Sequence, residues 1–195
     1  MNTWLQPVIL KGTSIKLVPL DFSHKEGLLA AASDGELWNL WYTSVPSKET
    51  VDRYLENALI NHTMLPFAVI DNNSGSVIGS TRYCNVEPKN LRLEIGYTWY
   101  AKSYQRTSIN TQCKLALLTH AFEILNCNAV EFRTHYFNEA SRNAITRLGA
   151  KQDGVLRNHR VDADGSLRDT VVFSIIKSEW PIIKKHLKFK LRTFK

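Results

Sequence analysis

The sequence predicts a single α/β domain of the α+β kind, a central sheet flanked by helices, and three observations point to it. The chain has 195 residues, 44% of them hydrophobic, enough to fill one core, and no repeat or low-complexity linker divides it. Period-two and helical patterns follow one another in the order β, α, α, β, β, β, α, β, α, β, β, with a helical tail. Turn and cap residues fall between these segments.

The elements follow in chain order. Ser14 to Leu20 places Ile15 and Leu17 on one side of a first strand that Pro19 stops. Asp21 and Ser23 open a helix through Ser33, and Ser47 with Thr50 open a second. Phe67 to Asp71 and Ser76 to Val86 form a hairpin pattern around Asn72 to Gly75, residues that tolerate positive φ. Leu91 to Tyr100 alternates, with Leu91, Leu93, Ile95, Tyr97 and Trp99 expected on one face and Arg92, Glu94, Gly96, Thr98 and Tyr100 on the other. A largely buried helix then carries Ile109, Cys113, Ala116, Leu117, Ala121 and Ile124 at helical spacing. Ala129 to His135 is a strand, and Asn138 caps a helix that Gly149 ends. Two last strands flank Asp162 to Gly165, whose Asp-Gly pair signals a hairpin.

Charge and composition bound the function. Twenty-five Lys and Arg against 18 Asp and Glu give +7, which suits an anionic ligand or an acidic partner. Much of that excess is local, because Lys184, Lys185, Lys188, Lys190, Arg192 and Lys195 lie within the last twelve residues. These read as a solvated helix face with a frayed end, and nucleic acid is not expected as a partner, since no recognition motif accompanies the charge. Gln6, Lys11, Thr13 and Lys16 interrupt the first twenty residues, and no stretch offers the ~18 apolar residues of a membrane span. A cytoplasmic protein without a membrane partner is expected. Cys84, Cys113 and Cys127 lack metal or disulfide spacing, and His24, His62, His120, His135, His159 and His186 form no ligand pairs, so no metal is inferred.

The segment from Ser103 to Phe122 joins a polar, Arg-bearing turn to the long apolar helix. Ser, Thr and Asn cap helices without any further role. The same helix start, with its orphan N–H groups, its positive dipole end and Arg106, would also hold an anion such as phosphate.

These residues carry a resemblance. The element order, the loop from Gln105 to Asn110, and the segments Gly79 to Tyr83, His135 to Ala150, Asp164 to Ile175 and Glu179-Trp180 resemble the GNAT superfamily of N-acyltransferases, especially its ribosomal-protein N-terminal acetyltransferase-like branch. The likeness runs from about Ile15 to Trp180. It implies a mixed, mostly antiparallel sheet of six to seven strands, splayed between the fourth and fifth strand segments. It implies one GNAT domain over residues 1–195, with a core at about 14–180 and a basic tail at 181–195. The family's Q/R-x-x-G-x-G/A loop falls on Gln105, Arg106, Thr107, Ser108, Ile109 and Asn110, which would hold the pyrophosphate of acetyl-CoA. Two departures stand out: Ser108 replaces a glycine, and Asn110 replaces a small residue.

The resemblance also implies roles. Thr98, Trp99 and Tyr100 would present backbone N–H groups to the thioester, Asn138 would contact the pantetheine arm, and Ser141 would protonate the departing thiolate. Glu94 would act as base, with a structural partnership to Arg92 or Arg82 as the plain alternative. Trp38, Trp41 and Tyr42 would form part of the acceptor wall, with ordinary core packing as the plain alternative; Arg82, Tyr83 and Arg133 would also face the cleft. The expected activity is direct acetyl transfer from acetyl-CoA to a small-molecule or peptide amine, including a protein N-terminal α-amine. A non-catalytic CoA-binding regulatory module and an RNA- or ribosome-binding accessory remain the alternatives. A homodimer is compatible with the resemblance, although the residues do not specify an oligomeric state.

Overall fold

A computed structural model describes residues 4–61, 63–162 and 164–193; His62, Ala163 and Lys195 lie outside the described residues. Eight strands form one sheet: β1 (Leu10–Lys11), β2 (Ile15–Pro19), β3 (Leu65–Asp71), β4 (Val77–Glu87), β5 (Arg92–Tyr100), β6 (Ala129–His135), β7 (Lys151–Val161) and β8 (Leu167–Ile176). The order across the sheet is β1-β2-β3-β4-β5-β6-β8-β7. All neighbours run antiparallel except β5 and β6. The expectation of six to seven strands misses β1, whose two residues are too short for any period to show.

The helices are α1 (Lys25–Ser33), α2 (Val51–Ile60), α3 (Ile109–Thr119), α4 (Glu139–Leu148) and α5 (Trp180–Thr193). They divide the apolar residues into two cores. One sheet face packs on α3, α4 and α5 through Leu117, Leu118, Ile145, Leu148, Ile183 and Leu187, and takes in both β5 and β6. The other packs on α1 and α2 through Leu28, Ala32, Val51 and Leu55, and draws no residue from β6, β7 or β8. One face of the sheet is therefore covered by helices on both sides of the β5–β6 join, the other only up to β5.

Two local irregularities overturn the simple periodicities. In β5, Tyr97 adopts a φ of 51°, and the β4 register slips between Ser80 opposite Trp99 and Arg82 opposite Gly96. This bulge adds a residue to β5 and resets its alternation. Leu93, Ile95 and Tyr100 thus join the α3-side core, whereas Trp99 joins the α1/α2 core and Tyr97 stands 39% exposed. After α3, a π-type turn over His120–Ile124 likewise rotates the chain, leaving Ile124 exposed instead of buried.

The basic C-terminal segment does more than present a solvated face: it forms α5 through Thr193 and packs on the domain. Trp180, Ile183 and Leu187 of α5 are buried in the main core, and Lys184 pairs with Glu123 at 2.6 Å. The basic residues ride on the outer side of a helix whose inner side completes the domain. Leu187→Ala is expected to lower unfolding free energy by about 2–5 kcal/mol in a urea titration. Lys185→Ala, on the exposed side, should change it by less than about 0.5 kcal/mol.

Candidate active site

The site begins where two strands part. The parallel pairing of β5 with β6 lasts only from Arg92 opposite Ala129 to Glu94 opposite Glu131, and beyond it the strands diverge. The base of this gap is tied by ion pairs: Arg92 bonds Glu131, and Arg133 grips the same carboxylate through Nε at 3.1 Å and Nη2 at 3.0 Å. A gap between strands exposes backbone polar groups that a sheet would otherwise pair, so it is a natural seat for an extended polar ligand.

On the α3 side lies the loop from Gln105 to Asn110. Its positive φ falls on Arg106, at 59°, while Ser108 sits in the right-handed region at φ −70°. A Cβ costs nothing there, so the departure from glycine at Ser108 does not strain this loop. The Gln105 side chain donates to the Tyr100 carbonyl at 2.9 Å, and Thr107 Oγ1 bonds the Tyr104 carbonyl at 2.7 Å, which fixes the turn. Gln112 pins the helix start to β2 by accepting from the Ser14 N–H at 2.8 Å and donating to Ser108 Oγ at 3.0 Å. Ile109 is buried, so only its backbone is offered, and its N–H is taken by Thr107 Oγ1 at 3.3 Å. Among the described residues the N–H groups of Asn110 and Thr111 find no acceptor, and Arg106 is exposed beside them. A helix start of this kind suits an anion.

Across the gap, Asn138 caps α4 by accepting from the Ser141 N–H at 3.0 Å, and Ser141 stands in the first turn. On the α1/α2 side, Glu94 is 6% exposed and receives Asn85 Nδ2 at 2.6 Å, with Arg133 Nε 3.7 Å away. Burial pushes its carboxyl pKa up, while Asn85 and Arg133 pull against the rise. Its partners are therefore Asn85 and Arg133, not the expected Arg92 or Arg82. Asn85 escaped the sequence reading; its φ of 46° marks a bulge in β4 that aims the amide at Glu94, and an Asn inside a strand was the signal.

The acceptor-side candidates separate. Arg82 lies against Tyr97 and Tyr54, 4.3 and 4.7 Å from the ring centres. Tyr83 faces the other way: fully buried, it donates to the Leu117 carbonyl at 2.6 Å and belongs to the core, because neighbours in a strand point to opposite faces. Trp38 packs on the α1/α2 core and Tyr42 touches Trp41 edge-on. The residue that crosses the mouth of the gap is Trp41, 63% exposed and 4.8 Å from the His135 ring. Of the three backbone candidates, Thr98 and Tyr100 lie on the α3 side and Trp99 on the α1/α2 side, where its indole donates to Tyr54 at 3.2 Å.

Lys114 is a second residue that sequence reasoning missed. It is 4% exposed, and its Nζ donates to Thr98 Oγ1 at 2.7 Å, just past the Tyr97 bulge, with Thr81 Oγ1 hydrogen-bonded behind at 2.7 Å. No carboxylate reaches it among the described residues, and burial pulls its pKa down to about 8. Its place at i, i+3, i+4 and i+7 with Leu117, Leu118 and Ala121 was the overlooked signal. The three cysteines are buried thiols whose pKa values burial raises, and no three His, Cys, Asp or Glu side chains converge as a metal site among the described residues.

The comparisons with known proteins agree with this geometry. Residues 14–151 match the acetyltransferase (GNAT) domain profile. Over 106 residues the chain is 35% identical to YdaF of Bacillus subtilis, provisionally named a ribosomal N-acetyltransferase; the alignment covers 54% of this chain and 57% of YdaF. A crystal structure of a GCN5-related N-acetyltransferase from Brucella melitensis superposes with a TM-score of 0.88 at 31% identity, covering 96% of this chain and 86% of the other. The ribosomal L7/L12 α-N-protein acetyltransferase RimL, solved with coenzyme A, shares the fold at a TM-score of 0.73 and 20% identity, over 87% of this chain and 98% of its own. The chain belongs to the GNAT acetyltransferase family. No helix among the described residues is long and apolar enough to cross a membrane.

Burying Lys114 has a measurable cost. Its pKa in the folded chain lies below the ordinary lysine value of 10.5, so the unfolded chain holds the extra proton between about pH 8 and 10.5, and stability from this group is lost as pH falls. Lys114→Met is expected to raise the melting temperature by several degrees at neutral pH, with the gain shrinking toward pH ~10 when followed by calorimetry.

Proposed function

We propose that the protein transfers an acetyl group from acetyl-CoA directly to a primary amine, within a complex that holds both substrates. The observation that carries this reading is the gap beyond Glu94 and Glu131, with an open helix start on one side and a buried carboxylate on the other. The unpaired N–H groups of α3 and Arg106 fit the donor's pyrophosphate. The irregular backbone from Tyr97 to Tyr100 supports hydrogen bonding along the donor's chain and at the thioester oxygen.

The chemistry requires a neutral amine. The acceptor nitrogen forms a bond to the carbonyl carbon, the carbon–sulfur bond breaks, and the amine proton goes to Glu94, directly or through a water. An α-amino group sheds its proton about 3.5 kcal/mol more readily than a lysine side chain, so a base as modest as a buried carboxylate suffices for a terminal amine. The family branch and the name of YdaF favour a protein N-terminal amine as acceptor, with a small-molecule amine as the alternative.

The departing thiolate needs a proton. Ser141, in the first turn of α4, is one donor; the Lys114 ammonium beside Thr98 is a second, favoured by its place at the bulge and its lowered pKa. Ser108 gives no support to a binding module without turnover, and the buried face of α5 argues against a free RNA-binding tail.

Calorimetric titration with acetyl-CoA should show micromolar binding that Arg106→Glu weakens at least about tenfold; equal affinity for both proteins would move the anion away from this loop. Glu94→Gln should leave that affinity intact and lower kcat/KM by at least about tenfold. In the wild type kcat/KM should fall toward acid pH, because burial makes Glu94 take up its proton at a higher pH than an ordinary glutamate, and the protonated form is no base. If Glu94→Gln instead leaves kcat/KM within about twofold of the wild type across pH 6 to 9, Glu94 does not have this role.

A further inference from the structure

The acceptor side of the gap is short of negative charge. Three buried side-chain polar atoms lack a hydrogen-bond partner among the described residues, Arg82 Nε, Arg168 Nε and Asp162 Oδ2, and all three belong to this side. Arg82 shares its face with Glu94, since Arg82 sits opposite Gly96 and Cys84 opposite Glu94 across β4 and β5. Arg168 lies within the field of Tyr97 and Glu94, and Asp162 approaches His135 no closer than 3.7 Å. Two of the three are guanidiniums.

Arg82 is the more unusual. It is 3% exposed, no carboxylate lies within ion-pair distance of it among the described residues, and its one hydrogen bond is from Nη1 to the Met64 thioether at 3.9 Å. The nearby acids are already engaged, Glu131 by Arg92 and Arg133, and Glu94 by Asn85 and Arg133. A buried charge without a counter-ion is destabilising, and the two tyrosine rings offset only part of that. Those rings flank the guanidinium and leave its edges as the positions for further hydrogen bonds. Nη1 is spent on Met64, so the edge formed by Nε and Nη2 is left without a hydrogen-bond partner among the described residues, and its geometry matches the two oxygens of a carboxylate side-on.

We propose that the acceptor amine carries a carboxylate, and that Arg82 receives it on this buried, unpartnered edge between Tyr54 and Tyr97 while Glu94 faces the amine. This rests on the acetyltransferase reading and narrows its substrate class. The carboxylate would belong either to a free amino acid or to an acidic side chain close to a peptide N-terminus, the chemistry at Arg82 being the same. Tyr97 connects the two functions, because the bulge that shapes the gap also turns its ring onto Arg82.

The test compares matched acceptors on the intact protein with saturating acetyl-CoA, reading both thiol release and calorimetric binding to the protein loaded with coenzyme A. Amino acids are paired with their amides, peptides bearing Asp or Glu at the second or third position with their Asn or Gln counterparts, and phosphoethanolamine with ethanolamine. The wild type is expected to prefer at least one carboxylate member over its amide by about tenfold or more, mainly through KM. Arg82→Met should bring that ratio close to one, with Arg82→Lys in between. A preference confined to free amino acids identifies the α-carboxylate, and one confined to peptides an acidic side chain. Equal use or equal binding of acids and amides by the wild type overturns the proposal without needing any variant, as does a preference for the phosphate alone. Failure of acetyl-CoA to bind would instead strike at the acetyltransferase reading.

Discussion

Everything in this site depends on how briefly β5 and β6 stay together. Three residue pairs, ending at Glu94 and Glu131, hold the two halves of the sheet, and the ion pairs of Glu131 with Arg92 and Arg133 stitch the join. A longer parallel pairing would consume the backbone groups that line the gap and draw β6 against the Tyr97 bulge. The bulge matters for a second reason. By inserting one residue it turns Tyr97 to the face that Glu94 already occupies and Thr98 toward α3, so a single strand presents polar groups to both faces of the sheet.

The polar groups around the gap form two sets that are linked through this strand. On one side, Lys114, Thr98 and Thr81 make a short hydrogen-bonded chain beneath the bulge. On the other, Asn85, Glu94, Arg133 and Glu131 make a chain in which each carboxylate is held by at least one donor. Burial raises the Glu94 pKa and lowers that of Lys114, which moves an acid and a base toward the neutral range from opposite ends.

Much of the fold was legible because its signals are local. Asn138 and Gly149 bound α4 where a cap and a left-handed stop are expected, with Gly149 at a φ of 102°, and Ala129 to His135 is the strand its pattern indicates. What stayed hidden depends on irregularity or on tertiary context. Alternation along Leu91 to Tyr100 could not reveal a bulge, so the faces of Thr98 and Tyr100 were misassigned beyond it. Helical spacing could not reveal the π-type turn that exposes Ile124. Lys114 and Asn85 look like ordinary polar residues until a helix packs on the sheet and a strand bends. Tyr83 was misread because one position along a strand separates the cleft from the core.

The unequal coverage of the two sheet faces has a mechanical meaning. On the donor side the core runs unbroken beneath both β5 and β6, so α3, α4 and α5 act as a fixed back plate that sets the width of the gap. On the α1/α2 side the packing of the helices ends at β5, and Trp41 leans across toward His135. Side chains on this open front can be exchanged without disturbing the plate behind it. Substitutions can therefore change what such a scaffold admits at its front while the framework behind stays the same.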